Sequence, residues 1–359
     1  MKKYCLLIAL AVIFTSCLSV YAKNFFFWKK PKAEISDTKC DKAADFEILP
    51  TMNTVSNAKN TVWVGTFQLI WNDLIDEIIK NPVKFNTPSE MADNLNQKEF
   101  TTDDLKDSSY YKKLGLASKE LKIEIENAIK EKFNEKSDIL HKFDWSPAPN
   151  KYILYAMLKK DFQYIKTFDK LPNDEFKGSK GEVQYFGIDK NSPNSLRYTV
   201  KVLFYNSPDD FAVLLRSKQG DNVYLYRTDD NKTLDILYSD MKSKSDKYMG
   251  LRSFGKKDEL KIPLIDFKKE KCFSEICNKP IKGTDFIIGQ ALETIQFKMD
   301  EAGVKLKSEA GMMVGCTCTP SFRDEPRYFY FNNKYVIFLQ EKDKPYFAMK
   351  IEDAKALQK

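Results

Sequence analysis

Apolar residues between Val62 and Ile78 recur at helical spacing: Val64, Phe67, Leu69, Ile70, Leu74, Ile75 and Ile78. That period predicts an amphipathic helix, ended by Pro82 and Pro88. Residues 89–113 read as polar loop. A second helical pattern, Leu121, Ile123, Ile125, Ala128, Ile129 and Phe133, predicts a helix over Ser118–Lys136. Past Trp145 and the prolines at 147 and 149 the period changes. Tyr152–Leu158 is an apolar run of strand length. Thr199–Tyr205 and Phe211–Leu215 flank a turn at Asn206–Asp210, and Asn222–Tyr226 follows a turn at Gln219–Asp221, a β-meander. Leu234–Met241 reads as a short helix; Leu260–Phe267, Thr294–Met299, Tyr335–Leu339 and Tyr346–Ile351 read as strands. Helices early and antiparallel strands late give an α+β fold.

The first 22 residues fit this scheme only as a targeting segment. Lys2 and Lys3 precede the apolar run Leu6–Phe14, and Val20-Tyr21-Ala22 supplies small residues around a cleavage site. A second reading stays open: Phe14-Thr15-Ser16-Cys17 approximates a bacterial lipobox, which would place a lipid anchor on Cys17. Either way the protein is expected to be exported, whether secreted, periplasmic or held at the cell surface. No other apolar run is long enough to cross a membrane as a helix. Residues 23–39 read as a linker and 40–359 as one domain.

With 43% hydrophobic and 13% aromatic residues, the chain can bury a sizeable core. The formal charge of +7 is not gathered into a basic stripe, so a nucleic-acid partner is not expected. Five cysteines follow Ala22: Cys40, Cys272, Cys277, Cys316 and Cys318. In an oxidising compartment Cys272 and Cys277 could bridge locally, and the odd number leaves at least one outside any intrachain pair.

Catalytic chemistry is sparse. His141 is the single histidine, no nucleophile elbow accompanies it, and a multi-histidine metal site is excluded by count. No phosphate-binding glycine motif occurs. The adjacent carboxylates Asp209 and Asp210 lie in a turn and read as solvated. No enzyme activity, cofactor or metal is expected.

The informative stretch is Thr294–Ile351. Ile295, Phe297 and Met299 alternate with Gln296, Lys298 and Asp300, which is a half-buried strand. Glu301-Ala302-Gly303 interrupts it. The alternation then resumes, with Val304, Leu306, Ser308 and Ala310 on one face and Lys305, Lys307 and Glu309 on the other. Residues from Gly311 to about Tyr328 lack periodicity, so Val304–Tyr328 is expected to be a long exposed loop.

Four segments, in order, resemble landmarks of the serpin family of serine protease inhibitors. Tyr152–Phe168 resembles the strand that ends in a Trp-x-x-x-Phe element, with Tyr164 in the Trp place. Leu260–Phe267 resembles the Leu-Pro-x-Phe-x-Ile strand. Ala291–Ala310 resembles the strand and hinge before the reactive loop. Phe331–Leu339 with Tyr346–Ile351 resembles the C-terminal signature. A weaker likeness reaches back to Asn60–Val64. The resemblance covers about residues 150–359 and has the cast of a divergent bacterial-type member. It implies a large antiparallel central sheet, Thr294–Asp300 as one of its central strands, and a long exposed reactive loop.

A serpin inserts its cleaved loop into that sheet as a new strand. The resemblance therefore implies a hinge of Glu301, Gly303, Val304, Leu306, Ser308 and Ala310, and a serine protease as partner. Counting from Glu301 places the scissile bond at Thr317–Cys318; counting back from Phe331 places it at Arg323–Asp324, and the nearer anchor favours Arg323. The chain also departs from the family. Lys305, Leu306 and Lys307 replace small hinge residues, Ala156 replaces an asparagine, Val64–Gly65 stands where Ser-Pro is usual, and Tyr335–Val336 where Pro-Phe is usual. These departures support an alternative, a serpin fold that serves as a non-inhibitory binding or structural module at the cell surface.

Overall fold

The computed structural model describes residues 45–306 and 325–358. They belong to the second of two compact units, Cys40–Lys359. The strands of the first half are β1 (Phe46–Ile48), β2 (Asn60–Val64), β3 (Tyr110–Leu116), β4 (Tyr152–Leu158), β5 (Lys160–Gln163), β6 (Asp169–Glu175), β7 (Glu182–Ile188) and β8 (Val200–Ser207). Those of the second are β9 (Asp210–Arg216), β10 (Asn222–Arg227), β11 (Glu259–Pro263), β12 (Ile265–Cys272), β13 (Leu292–Met299), β14 (Gly303–Leu306), β15 (Tyr328–Tyr330), β16 (Tyr335–Gln340) and β17 (Pro345–Ile351). The α-helices are α1 (Thr66–Asp73), α2 (Glu90–Leu95), α3 (Lys119–Phe133), α4 (Asn194–Arg197) and α5 (Leu234–Lys247).

The fold is α+β, and its largest sheet has seven strands in the order β1-β2-β17-β16-β10-β9-β8. All its pairs are antiparallel except β1–β2. Every residue of β16 and β17 is buried. A second sheet, β12-β13-β14-β5, packs on it; Phe297 of β13 stacks on Phe347 of β17 with centroids 4.5 Å apart. A third, β15-β11-β7-β6, and the pair β3–β4 complete the set. Gly187 of β7 lies at φ 155°, and a Cβ there would sit 1.9 Å from the Leu260 carbonyl oxygen. Only glycine lets β7 and β11 approach this closely.

Helix α3 begins where the pattern places it. The Ser118 side chain accepts a hydrogen bond from the Leu121 N–H, and Asn134 ends the helix in the left-handed conformation. Leu121, Ile125, Ile129 and Phe133 pack with Ile153 and Tyr155 in a cluster separate from the main core. Leu158 belongs to the main core instead. Strand β4 is thus covered on both faces, which is why its text is apolar without interruption.

Several sequence expectations are corrected. Val62 and Val64 lie in β2, not in a helix, and the helical stretch begins at Thr66. It runs on as a π-helical turn, Leu74–Ile79, ended by Lys80 at φ 61°. Residues 89–113 hold α2 and the start of β3. Both ends of the expected loop are strand instead, since Val304–Leu306 belongs to β14 and Tyr328 opens β15, while 307–324 lie outside the described residues. Thr294–Met299 falls in the four-stranded sheet, not the largest one.

Two buried ionic groups tie these layers together. Arg327 donates from Nη2 to Asp258 Oδ2 at 2.6 Å and from Nε at 3.1 Å. It also satisfies the carbonyls of Leu251 and Ser253, at 2.8 and 2.7 Å. Lys160 of β5 reaches Asp221 Oδ1 at 2.9 Å and Glu341 Oε1 at 2.6 Å, with all three side chains at most 5% exposed. Removing one partner of such a pair strands a charge in a low-dielectric interior. Asp258→Asn is therefore expected to lower unfolding stability by about 3–5 kcal/mol, measured by urea titration, whereas the exposed-pair variant Lys80→Ala should shift it by under about 1 kcal/mol.

Candidate functional site: a chain reversal entering the second sheet

The site is built from the end of β13, the reversal Asp300–Gly303 and strand β14. Asp300 caps the turn: its Oδ1 accepts from the backbone N–H of Ala302 at 3.0 Å and of Gly303 at 3.3 Å, and its own N–H reaches the Gly303 carbonyl at 3.1 Å. The turn's carbonyls are also engaged. Ala302 O accepts from Tyr164 N–H at 3.0 Å and Glu301 O from Phe168 N–H at 2.9 Å. The Glu301 carboxylate pairs with Lys170 at 3.2 Å, an exposed contact that adds little.

Beyond the turn, β14 runs antiparallel to both β13 and β5. Val304 faces Met299 on one side and Phe162 on the other, and Leu306 faces Lys160. Val304 and Leu306 are buried and Lys305 is exposed. Burying each apolar side chain stabilises by about 2 kcal/mol, comparable with the cost of ordering the backbone at roughly 1–2 kcal/mol per residue. The short strand therefore depends on its two rows of backbone hydrogen bonds. Those rows require Gly303, because a Cβ there would lie 2.1 Å from the Phe162 carbonyl oxygen.

Past Leu306 the chain of the two neighbouring strands continues as β4 and as Leu292–Phe297. Among the described residues, β4 pairs only with β3, and Leu292–Phe297 of β13 pair only with β12. Helix α1 packs on β4 from the core side. Extended beyond Leu306, the register of β14 would run between β4 and Leu292–Phe297, which would then border a strand-length slot with β14 at one end.

Of the sequence-predicted residues, Glu301, Gly303, Val304 and Leu306 come together here. Ser308, Ala310, Thr317, Cys318, Arg323, Asp324 and Cys17 lie outside the described residues. Tyr164, read in a tryptophan place, is fully buried, with its ring 5.1 Å from that of Phe168. Cys272 ends β12 and Cys277 follows five residues later, where its Sγ donates to the Phe273 carbonyl at 3.3 Å. His141 is exposed in a short 3-10 turn. Asp209 and Asp210 are held by cations, Arg227 at 2.5 Å and Lys244 at 2.9 Å.

Two features escaped the sequence reading. Glu293 is 4% exposed, and its Oε1 accepts from the Thr66 hydroxyl at 2.6 Å at the start of α1. Its signal was legible, since alternation places it on the same face as Ile295, Phe297 and Met299. Lys160 had no such signal, because its partners come from the distant positions 221 and 341. At Glu341, burial pushes the carboxyl up, but Lys160 and the Lys106 N–H outweigh it and hold the group below its usual range.

No family model matches the sequence, and no curated protein matches it. Among solved structures, the chain is similar to a serpin, Serpin48, of the insect Tenebrio molitor at 13% identity and a TM-score of 0.46. It is similar to a thyroxine-binding globulin in complex with thyroxine at 11% and 0.47, and to maspin at 13% and 0.49. Each alignment covers 81–82% of this chain and 92% of the other.

Gly303→Ala is expected to push β14 away from β5, costing about 1–3 kcal/mol. Hydrogen exchange should then show lost protection at Val304–Leu306 while α3 amides are unchanged.

Proposed function

We propose that this protein is an exported, serpin-like inhibitor that offers residues 307–324 to a serine protease and traps the enzyme by drawing the cleaved segment into the β4–β13 slot. One observation carries the reading: the chain after β13 reverses at Gly303 and pairs as β14 between β13 and β5. Continued in that register, Ser308 would fall between Leu158 and Ile295, and Ala310 between Ala156 and Glu293. Both are small residues on the inward face set by Val304 and Leu306, and Lys307 would point outward with Lys305. The four segments that resemble serpin landmarks support the same reading through their places on β4–β5, β11–β12, β13–β14 and β16–β17.

The favoured scissile bond is Arg323–Asp324, with Thr317–Cys318 as the second position. An arginine there would suit a trypsin-like enzyme, whose carboxylate-bearing pocket can hold a guanidinium through two parallel hydrogen bonds. Export would proceed by cleavage after Ala22 or by lipid attachment at Cys17.

Incubation with trypsin-like proteases is expected to give a covalent complex that survives denaturant, and Arg323→Ala should abolish it. Clean cleavage after Arg323 without a complex would identify the non-inhibitory module instead. No cleavage in 307–324 would overturn the assignment of the loop.

A further inference from the structure

The reading above leaves one buried acid without a role. Glu293 sits on β13, at the margin of the slot. Extending the register in which Val304 faces both Phe162 and Met299 puts Glu293 level with Ala156 across it. Its side chain turns inward to α1. There Oε1 takes the Thr66 hydroxyl at 2.6 Å, and the carboxyl also accepts from the Phe67 N–H. Its Oε2 is buried without a hydrogen-bond partner among the described residues.

The charges around this carboxyl are few. Lys271 of β12 is its register partner, but Lys271 Nζ is already held by Glu47 of β1 at 3.1 Å and by the Ile48 carbonyl at 2.9 Å. Helix α1 contributes only a hydroxyl and a backbone N–H. Strand β4 carries no acid or base other than Tyr152 and Tyr155, and the latter packs with the α3 cluster on the opposite face. On β13 itself the remaining ionisable group is Lys298, which pairs with Asp300 at 3.0 Å.

We propose that Glu293 is a proton-operated latch: as a neutral acid it ties β13 to the start of α1, and loss of its proton frees the β13 edge that borders the slot. An ionised carboxylate at this place needs more donors than Thr66, Phe67 and the shared Lys271 provide. Water is the available source, and the edges of β4 and Leu292–Phe297, each paired on one side only among the described residues, mark the route by which it enters. Burial pushes the group up to about 7, against the smaller opposing pull of the Thr66 hydroxyl, Lys271 and the Phe67 N–H. The closed form holds the proton more tightly than the hydrated form, so the latch is fully engaged below the ordinary glutamate range. It is lost as pH rises toward 7 and changes little above that.

This inference stands apart from the inhibitor reading, because its test involves no protease. Hydrogen exchange of the full-length protein is followed at 292–297 from pH 5 to pH 8 and corrected for intrinsic rates. The expected result is an opening equilibrium that rises about tenfold per pH unit up to pH 7 and then levels. Glu293→Gln, which keeps the shape and cannot ionise, should show a flat profile at these amides. A flat wild-type profile, or an unchanged slope in the glutamine variant, would overturn the latch. Carbon-13 titration of glutamate carboxyls in the wild-type protein gives a second reading that needs no variant. A slow-exchanging carboxyl with a midpoint near 7 supports the proposal, and only ordinary glutamate midpoints refute it.

Discussion

The close approach of Gly303 to the carbonyl of Phe162 is the contact on which the organisation of the second sheet depends. Because no Cβ intervenes, the chain leaving β13 can reverse within four residues and lie between β13 and β5 with backbone hydrogen bonds on both sides. Without that approach, β5 would have no partner on this side, and the link from β12–β13 to β4 and β3 would be lost. The Asp300 carboxylate, capping the turn from within, reduces the conformational freedom the reversal must surrender.

Charge burial then fixes where the sheets meet. Lys160 descends from the strand opposite Leu306 to Asp221 and Glu341 in the layer below, and Tyr346 adds a hydroxyl to Asp221 at 2.9 Å. Arg327 does the equivalent where the chain returns at 325–330, closing on Asp258 and two carbonyls. Such groups add little net stability over a well-packed apolar core, yet any alternative register would leave one of them uncompensated. They specify the layer geometry more than they strengthen it. Glu293 differs from both, since among the described residues the cation beside it, Lys271, is shared with Glu47.

Of the departures from the serpin pattern read in the sequence, Leu306 lies in the second sheet, Ala156 in β4, and Val64 and Tyr335–Val336 in the largest sheet. Leu306, bulky where the family has small residues, is accommodated by burial beside Lys160, whose own side chain is drawn down into the layer below. Ala156 presents no polar side chain to the slot, and Glu293 is level with it across the gap. The polar side chain facing α1 from this part of the sheet therefore comes from β13.

What the sequence alone determined were the elements whose signal is local. The alternation of Ile295, Phe297 and Met299 specified a strand, the unbroken run Tyr152–Leu158 a strand, and the helical period from Leu121 to Phe133 the body of α3. Each follows from a pattern that neighbours in the chain supply. Tertiary structure decided the rest. Val62 and Val64 fit a helical period, yet pairing with β17 on one side and β1 on the other makes them strand, buried on both faces and so without alternation. Asp169–Glu175 is polar text that becomes a strand only because β7 offers it an edge. Val304–Leu306 carries the alternation of a strand in its own residues, but whether it stands free or joins a sheet depended on a gap one strand wide between β5 and β13. No local pattern encodes the width of such a gap, because its two sides are more than a hundred residues apart in the chain.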